Sequence, residues 1–231
     1  MEAIILAGGK AERLGDAAGG RPKSLVPIAG KALAAYQVGR LARAGVERVI
    51  ISCAAEQGKL FAAELSGLGP EIVCAEEPKR LGRGGGIKFA ARQRREPGDV
   101  LALNGDELVD VDFAALIARH RQTGAAATVA VARPASPFGV VELDDDDLIS
   151  GFSEGGRIPY WVNCGVYALS AETIERFPDQ GDHESTTFPE LAAEGRLRAY
   201  RHEGLWLTVN TPKELRTAVE HVAAHPDWLA A

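Results

Sequence analysis

Hydrophobic and polar residues form two alternating patterns along the first part of the chain. Short apolar runs, many of them β-branched, predict buried strands at residues 2–7, 48–53, 71–75, 100–103 and 127–132. Between these runs the sequence predicts helices at residues 33–44, 57–65, 86–94 and 113–123. The first helix carries Ala34, Val38 and Leu41 on one face. Apolar strands that alternate with helices are typical of a mostly parallel sheet covered on both faces, so we predict an α/β fold.

The pattern changes after residue 133. Three further segments look like strands joined by turns, at residues 138–142, 148–154 and 161–169. The acidic run at residues 144–147 is predicted to be a solvated turn, because consecutive carboxylates point in different directions. The remaining predicted elements are two helices near residues 187–194 and 212–224, and two short strands near residues 197–200 and 205–209. Without a linker or an internal repeat, we predict one domain over residues 1–231, with residues 134–231 forming an extension of the sheet built by residues 1–133.

Composition and charge exclude several classes of function. The net charge of −6 argues against a general polyanion binder, so we expect no nucleic-acid partner. A basic leader and a long apolar run are both absent from the sequence, so we expect no signal peptide and no membrane partner. The scattered cysteines Cys53, Cys74 and Cys164 suit buried free thiols in a reducing compartment, which predicts a cytoplasmic protein.

A glycine-rich loop follows the first predicted strand and reads LAGGKAERLGDAAGGRPKSLVP from Leu6. In open α/β sheets, ligands bind at the carboxyl ends of the strands, where this loop begins. Glycines let backbone N–H groups approach an anion closely, Arg13 offers a forked cation, and Lys23 offers a point charge. The loop matches neither the GKS or GKT phosphate loop nor the GxGxxG dinucleotide motif. These features predict a cradle for a triphosphate.

Several motifs in chain order identify a resemblance. They are LAGGKAERL, RPKSLVPIAGKAL, LGRGGG, NGDELVDVD, FGVVELDDDDLISGFSE and NCGVYALS. Together they resemble the sugar-1-phosphate nucleotidylyltransferase family, and within it the short bacterial guanylyltransferases that act on mannose or manno-heptose 1-phosphate. The resemblance implies a Rossmann-like three-layer sandwich with a mostly parallel mixed sheet, in which residues 1–133 bind the nucleotide and residues 134–231 form a smaller sugar-binding extension.

The resemblance also implies an activity and a set of reacting groups. Family members join a nucleoside triphosphate to a sugar 1-phosphate and release pyrophosphate, and GTP with mannose 1-phosphate is the pair that we expect here. By the same match, Arg13 would steady the leaving pyrophosphate and Lys23 would stabilise charge on the phosphates. Asp106, the aspartate of the NGD motif, would hold the cofactor Mg²⁺. A homodimer is compatible with the resemblance.

Binding residues follow from the same motifs. The positions that match nucleotide contacts, besides the catalytic three, are Leu6, Ala7, Gly8, Gly9, Glu77, Gly82 and Gly85. Among them Glu77 is a candidate for reading guanine, because a carboxylate can accept hydrogen bonds from guanine N1 and N2. The positions that match sugar contacts are Gly139, Glu154 and Asn163.

Two departures from the family pattern concern the chemistry. The family commonly has a lysine after Glu154 that meets the sugar phosphate, whereas this chain has glycine there and offers Arg157 nearby. The family motif WxDxGTP, whose aspartate is a second metal ligand, is replaced by WLTVNTP, which places Thr208 and Asn210 at the changed positions. Other carboxylates near Asp106 that could assist the metal are Asp110 and Asp112.

These departures leave alternatives open. The sugar could be manno-heptose or glucose 1-phosphate. The stretch VNTPKEL also resembles molybdenum-cofactor nucleotidyltransferases, which share the fold, although FGVVE and NCGVYALS speak against that branch. A weakly active regulatory subunit that binds a nucleotide sugar is a third interpretation, against which Arg13, Lys23 and Asp106 argue. Trp228 is a candidate for docking against the body of the protein or a partner subunit.

Overall fold

A computed structural model describes residues 1–136 and 138–225, so Trp228 lies outside the described residues. The strands of the described residues are β1 (Glu2–Leu6), β2 (Pro27–Ile28), β3 (Lys31–Ala32), β4 (Arg48–Ala54), β5 (Glu71–Glu77), β6 (Val100–Asn104), β7 (Glu107–Val109), β8 (Ala127–Ala132), β9 (Val140–Leu143), β10 (Ile149–Ser153), β11 (Val162–Leu169), β12 (Leu197–Arg201) and β13 (Trp206–Thr208). The α-helices are α1 (Leu33–Arg43), α2 (Gly58–Leu65), α3 (Gly82–Ala91), α4 (Phe113–Thr123), α5 (Ala171–Arg176), α6 (Thr187–Ala193) and α7 (Pro212–Ala224).

Seven strands form one mixed sheet in the order β12-β8-β11-β6-β1-β4-β5. All neighbours in it are parallel except β11, which runs antiparallel to both β6 and β8. Successive side chains of β1 pack into different hydrophobic cores, since Ala3 and Ile5 belong to one buried cluster and Ile4 belongs to another. The first cluster includes side chains of α1, α2 and α4, and the second includes side chains of α3, α5 and α6. The predicted α/β fold with three layers is therefore confirmed.

The residues after 133 contribute two strands to this sheet and also form one hairpin outside it. Strand β11 lies between β6 and β8, and β12 lies at the edge beside β8. Within the part of the chain that the structure describes, strands β9 and β10 pair only with each other, as an antiparallel hairpin whose tip is the acidic turn at residues 144–147. Strands β11 and β12 thus belong to the same sheet as the first part of the chain, whereas the hairpin forms a separate two-stranded unit.

Helix α3 begins at Gly82, four residues before the predicted start, because its glycine run packs closely against another loop. The backbone N–H of Gly84 donates to the carbonyl of Gly181 at 3.0 Å. A Cβ added to Gly85 would lie 2.6 Å from the carbonyl oxygen of Asp179, so a larger residue would push the loop away. The sequence analysis missed α5, whose start is capped by the Ser170 side chain, which accepts from the N–H of Thr173 at 3.2 Å.

Two further expectations can be compared with the structure. Cys53, Cys74 and Cys164 are free thiols, and Cys53 and Cys164 are fully buried. None of the described helices combines the length and the apolar character that crossing a membrane requires.

Candidate nucleotide and phosphate site

A polar cavity of about 520 Å³ opens at the carboxyl ends of β1 and β6, which are adjacent parallel strands. Because Leu6 pairs with Asn104 at these ends, the glycine loop after β1 faces the NGD segment after β6. The lining residues are Leu6, Gly8, Gly9, Lys10, Arg13, Lys23, Ser24, Glu77, Arg80, Gly82, Arg83, Asn104, Asp106, Glu107, Asp182 and Asn210. Ala7, which was also predicted to contact the nucleotide, is buried beside the cavity and donates its N–H to the Ser52 carbonyl at 2.7 Å.

The glycine loop is anchored to the body of the protein. Its middle forms a 3-10 turn at Glu12–Ala18, in which Leu14 and Ala18 are buried. These two side chains share a buried cluster with Ala218 and Val222 of α7. The loop is therefore held in place by apolar contacts, and its cations are carried on a fixed backbone.

Lys23 and Asp106, which lie 83 residues apart in sequence, meet in the cavity. The Lys23 Nζ lies 2.6 Å from Asp106 Oδ2, and only 11% of the lysine side chain is exposed. Gly105 allows this approach, because a Cβ there would lie 2.5 Å from the carbonyl oxygen of Leu6. The NGD motif thus needs glycine at its centre to bring Asp106 against the strand end of β1.

Asn210 joins the two predicted catalytic cations. Its Oδ1 accepts a hydrogen bond from Arg13 Nη2 at 3.0 Å and another from Lys23 Nζ. The sequence analysis treated Asn210 only as a departure from the family motif. Its role was not visible in the sequence, because it depends on β13 pairing with β7 next to Asp106.

Glu107 is a second residue that the sequence analysis missed. It is buried beside Asp106, and the Trp206 Nε1 donates to its Oε2 at 2.8 Å. Burial, and after it the charge of Asp106, raises the pKa of Glu107 to about 8. The raised pKa favours the neutral form of Glu107, so the more exposed carboxylate of Asp106 is the better candidate of the two to hold a charge at the cavity.

The other carboxylates proposed as metal partners point elsewhere. Asp110 Oδ1 lies 3.0 Å from His202 Nε2, and Asp112 caps α4 by accepting from the Ala115 N–H at 2.9 Å. Thr208, at the position of the family's second aspartate, donates its hydroxyl to Glu214 Oε1 at 2.9 Å. Among the described residues, no three His, Cys, Asp or Glu side chains are grouped to hold a metal ion.

Glu77 lies where two cavities meet. A second cavity of about 650 Å³ is bordered by the glycine loop, by residues 54–57 and by residues 77–80, and it shares Glu77 with the first. The Glu77 carboxylate accepts from Ser52 Oγ at 2.8 Å and from the Leu81 N–H at 2.9 Å. Each oxygen keeps a lone pair for a further donor. Gly82 lines the first cavity, whereas Gly85 packs against the loop near Asp179 and lies outside both linings.

The structure does not bring the three predicted sugar contacts together. Gly139 and Glu154 flank the β9–β10 hairpin, outside the linings of both cavities. Asn163 lies in β11, where its Nδ2 donates to Tyr167 Oη and to Glu184 Oε1, both at 2.9 Å. These three predicted contacts remain predictions.

A charged network that the sequence analysis missed connects Asn163 with the cavity. Glu184 Oε2 lies 2.8 Å from Arg83 Nη1, and Arg83 Nε donates to Asp182 Oδ2 at 2.7 Å. Arg83 and Asp182 line the cavity. Arg157, offered above as a substitute for the missing lysine, is exposed and donates to the Arg133 carbonyl at 3.2 Å instead.

Known proteins resemble this chain in sequence and in fold. A mannose-1-phosphate guanylyltransferase of Mycobacterium tuberculosis is 33% identical over 93% of this chain, and a putative one of Sulfolobus acidocaldarius is 28% identical over 93%. The chain spans 62% and 61% of the lengths of these two relatives. The crystal structure of HddC from Yersinia pseudotuberculosis matches with a TM-score of 0.75 and 23% identity, over 95% of this chain and 98% of that one.

A second solved structure has the same fold. A putative glucose-1-phosphate thymidylyltransferase from Bacillus anthracis matches with a TM-score of 0.76 and 18% identity, over 96% of this chain and 95% of that one. The family model described as nucleotidyl transferase matches residues 2–225, which is nearly the whole chain. This chain therefore belongs to the nucleotidyl transferase family.

Proposed function

We propose that this protein transfers a nucleotidyl group from a nucleoside triphosphate to a sugar 1-phosphate and releases pyrophosphate. The preferred pair is GTP with mannose 1-phosphate. The observation that carries the proposal is a cluster of four side chains at the carboxyl ends of β1 and β6. They are Arg13, Lys23, Asp106 and Asn210. Two cations and the glycine backbone face one cavity there, which suits a polyphosphate.

The reaction needs little covalent help from the protein. An oxygen of the sugar phosphate attacks the α-phosphorus, forming a new P–O bond as the bond to the β-phosphate oxygen breaks. The nucleophile is already an anion, so no general base is required. Lys23 would offset charge on the phosphates during transfer, and Arg13 would hold the pyrophosphate as it leaves. Positioning and electrostatic stabilisation would supply most of the rate.

The residues of the cavity fit a magnesium ion that keeps several waters. Mg²⁺ commonly binds through one or two carboxylates together with substrate phosphates, and Asp106 offers one partly exposed carboxylate at the right edge of the sheet. The neighbouring Glu107 could supply a second oxygen once it loses its proton. Such an ion would neutralise charge that develops on the phosphate oxygens.

The substrate preference rests on the relatives and on Glu77. The relatives above are named for mannose 1-phosphate and guanylyl transfer, and a second structure of HddC is described as complexed with GMP-PN. Glu77 borders both cavities and could accept from guanine N1 and N2, which uracil and adenine do not offer as a pair.

A matrix of four nucleoside triphosphates against mannose, manno-heptose and glucose 1-phosphates, scored by pyrophosphate release, tests the proposal. We expect release to require both substrates and Mg²⁺, with the highest kcat/KM for GTP and mannose 1-phosphate. Release with a different sugar would correct the substrate only. Pyrophosphate release that depends on a pterin would assign the chain to molybdenum-cofactor chemistry, and no release with any pair would refute the proposed activity.

A further inference from the structure

Asn210 presents one neutral acceptor to two cations. Its Oδ1 accepts from Arg13 Nη2 at 3.0 Å and from Lys23 Nζ. Two like charges this close repel each other, so a shared acceptor is needed to hold them side by side. An amide oxygen provides that acceptor without adding to the negative charge that Asp106 already places 2.6 Å from Lys23 Nζ, whereas a second carboxylate would neutralise more of the pair.

The backbone of Asn210 is itself fixed from two sides. Glu214 Oε2 accepts from the N–H groups of Asn210 at 2.7 Å and Thr211 at 2.9 Å, which completes a capping box at the start of α7. On the other side, the Val209 N–H donates to the Asp106 carbonyl at 2.9 Å. Asn210 thus sits between the first turn of a helix and the loop that carries Asp106.

Hydrogen bonds hold Glu214 in its ionised form in this arrangement, against the effect of burial. Burial alone would raise the pKa of Glu214, but the bonds from Asn210, Thr208 and Thr211 outweigh it and lower the pKa. A carboxylate that accepts three protein donors has few other positions available to it. The segment around Asn210 is therefore pre-organised in the free protein.

From these contacts we propose that Asn210 is a positioning residue, which aims Arg13 and Lys23 together at the polyphosphate of the nucleotide and adds no negative charge beside them beyond that of Asp106. The inference rests on the proposed function. It separates two effects that a single substitution usually mixes: the charge that attracts the polyphosphate, and the alignment of the cations during transfer.

Two substitutions at Asn210 test the charge and the alignment separately. Asn210→Asp keeps an acceptor for both cations but adds one negative charge beside them. Asn210→Leu has a similar size and adds no charge, but it removes the acceptor. Gln122→Glu, on the exposed face of α4, adds the same single charge far from the cavity and serves as the matched control.

Binding of inorganic tripolyphosphate, followed by calorimetry at several salt concentrations, is the readout that does not need turnover. We expect Asn210→Asp to weaken tripolyphosphate binding about tenfold and to raise KM for the nucleotide by a similar factor, with a smaller change in kcat. We expect Asn210→Leu to lower kcat about tenfold with a smaller change in binding. Gln122→Glu should match the wild type in both assays.

The outcomes distinguish this inference from the proposed function. Unchanged tripolyphosphate affinity in Asn210→Asp would overturn the inference, even in a protein that releases pyrophosphate. The expected loss of tripolyphosphate binding in a protein that never releases pyrophosphate would support Asn210 as the positioning residue and refute the activity. An equal fall of kcat and affinity in both variants, in step with lower urea midpoints, would indicate a structural role and overturn the inference. Asn210→Gly replaces Asn210→Leu if the leucine variant does not fold.

Discussion

The phosphate side of the cleft and the β9–β10 hairpin differ sharply in how their residues are held. On the phosphate side, Lys23 is mostly buried and bonded to two partners, and the loop that carries it rests on α7. On and beside the hairpin, Phe152 and Phe138 keep 65% and 76% of their surface exposed, and within the described residues the two strands pair only with each other. The first region is pre-organised for a polyanion, whereas the second has no comparable set of internal contacts.

This difference has a consequence for function. Electrostatic stabilisation requires donors that are already in place when charge develops, and a rigid phosphate side meets that requirement. Sugar hydroxyls can be recognised by side chains that close onto the substrate. We therefore expect substitutions on the phosphate side to be more damaging than matched substitutions on the hairpin, and the predictions below test that ranking.

The largest effect is expected for the ion pair between Lys23 and Asp106. Lys23→Ala removes a cation from the centre of the cavity, and Asp106→Ala removes the carboxylate that faces it. We expect each change to lower kcat/KM for pyrophosphate release by about 10³-fold, as for the loss of a pre-organised group that stabilises a transition state. Urea midpoints close to the wild type would show that the variants fold.

Lys59→Ala is the control for this pair, because Lys59 lies on the exposed face of α2 and lines neither cavity. It should keep wild-type kcat/KM. Full activity in Lys23→Ala or Asp106→Ala would refute the assignment of the site.

Two glycines provide a direct comparison of the regions. A Cβ at Gly105 would lie 2.5 Å from the backbone oxygen of Leu6, whereas a Cβ at Gly139 would lie 2.7 Å from the outer end of the Phe152 ring. Backbone at the end of β1 cannot move without disturbing the sheet, but an exposed ring can rotate away. We expect Gly105→Ala to lower the free energy of unfolding by about 3 kcal/mol and Gly139→Ala by less than about 1 kcal/mol.

Urea denaturation of the two alanine variants measures this difference. Similar losses in both would mean that the hairpin is held as firmly as the strand ends, and the contrast between the regions would fail. In that case the Phe152 ring must be fixed by contacts that its exposure does not reveal.

A pH-dependent contact near the phosphate side gives an intermediate effect. Burial alone would lower the pKa of His202, but its bond to Asp110 and the carbonyl of Leu205 outweigh burial and raise it. Burial alone would raise the pKa of Asp110, but His202 outweighs it and lowers the pKa. The pair therefore contributes its full stability between the ordinary pKa of an aspartate and the ordinary pKa of a histidine. This stability is lost as pH falls through the pKa of Asp110 or rises through that of His202.

His202→Gln should remove this contribution. We expect the variant to be less stable than the wild type by about 2 kcal/mol near pH 5.5, and by a smaller amount near pH 9, because the contribution falls as pH rises through the raised pKa of His202. Urea unfolding of both proteins at the two pH values measures it. A difference that grows toward pH 9 would have the wrong sign and would exclude the charged pair.

The structure brings the predicted phosphate residues together but not the predicted sugar contacts, and the reason is physical. Lys23 and Asp106 were assigned from motifs that resemble the family, and both motifs follow apolar strands, which in a parallel sheet end at the same edge. Asn210 and Glu107 depend on the short pair β7–β13, which has no such pattern. The hydrogen bonds that occupy Asn163 come from residues 167 and 184, and only the folded chain brings residue 184 close to it.

The roles of the glycines were also difficult to predict, because they too depend on contacts that only the folded chain makes. A glycine in a motif can line a ligand site or allow two backbones to pack, and the sequence does not say which. Gly82 lines the cavity, while Gly85, three residues later, packs against the backbone of Asp179. Both glycines face the loop at residues 179–181, because positions three apart share a helix face, and Gly82 at the start of α3 also borders the cavity.

The smallest effect is expected at Phe152. Its side chain is 65% exposed on a hairpin that pairs with no other strand, so Phe152→Ser should change the free energy of unfolding by less than about 0.5 kcal/mol. Phe61→Ser is the matched control, because Phe61 is fully buried in the core and should lose about 4 kcal/mol. A loss above about 1 kcal/mol in Phe152→Ser would mean that its ring is covered in solution. Repeating the measurement over a range of protein concentrations would then show what contacts the ring. The loss of unfolding free energy depends on protein concentration only if the contact is made by a second copy of the chain.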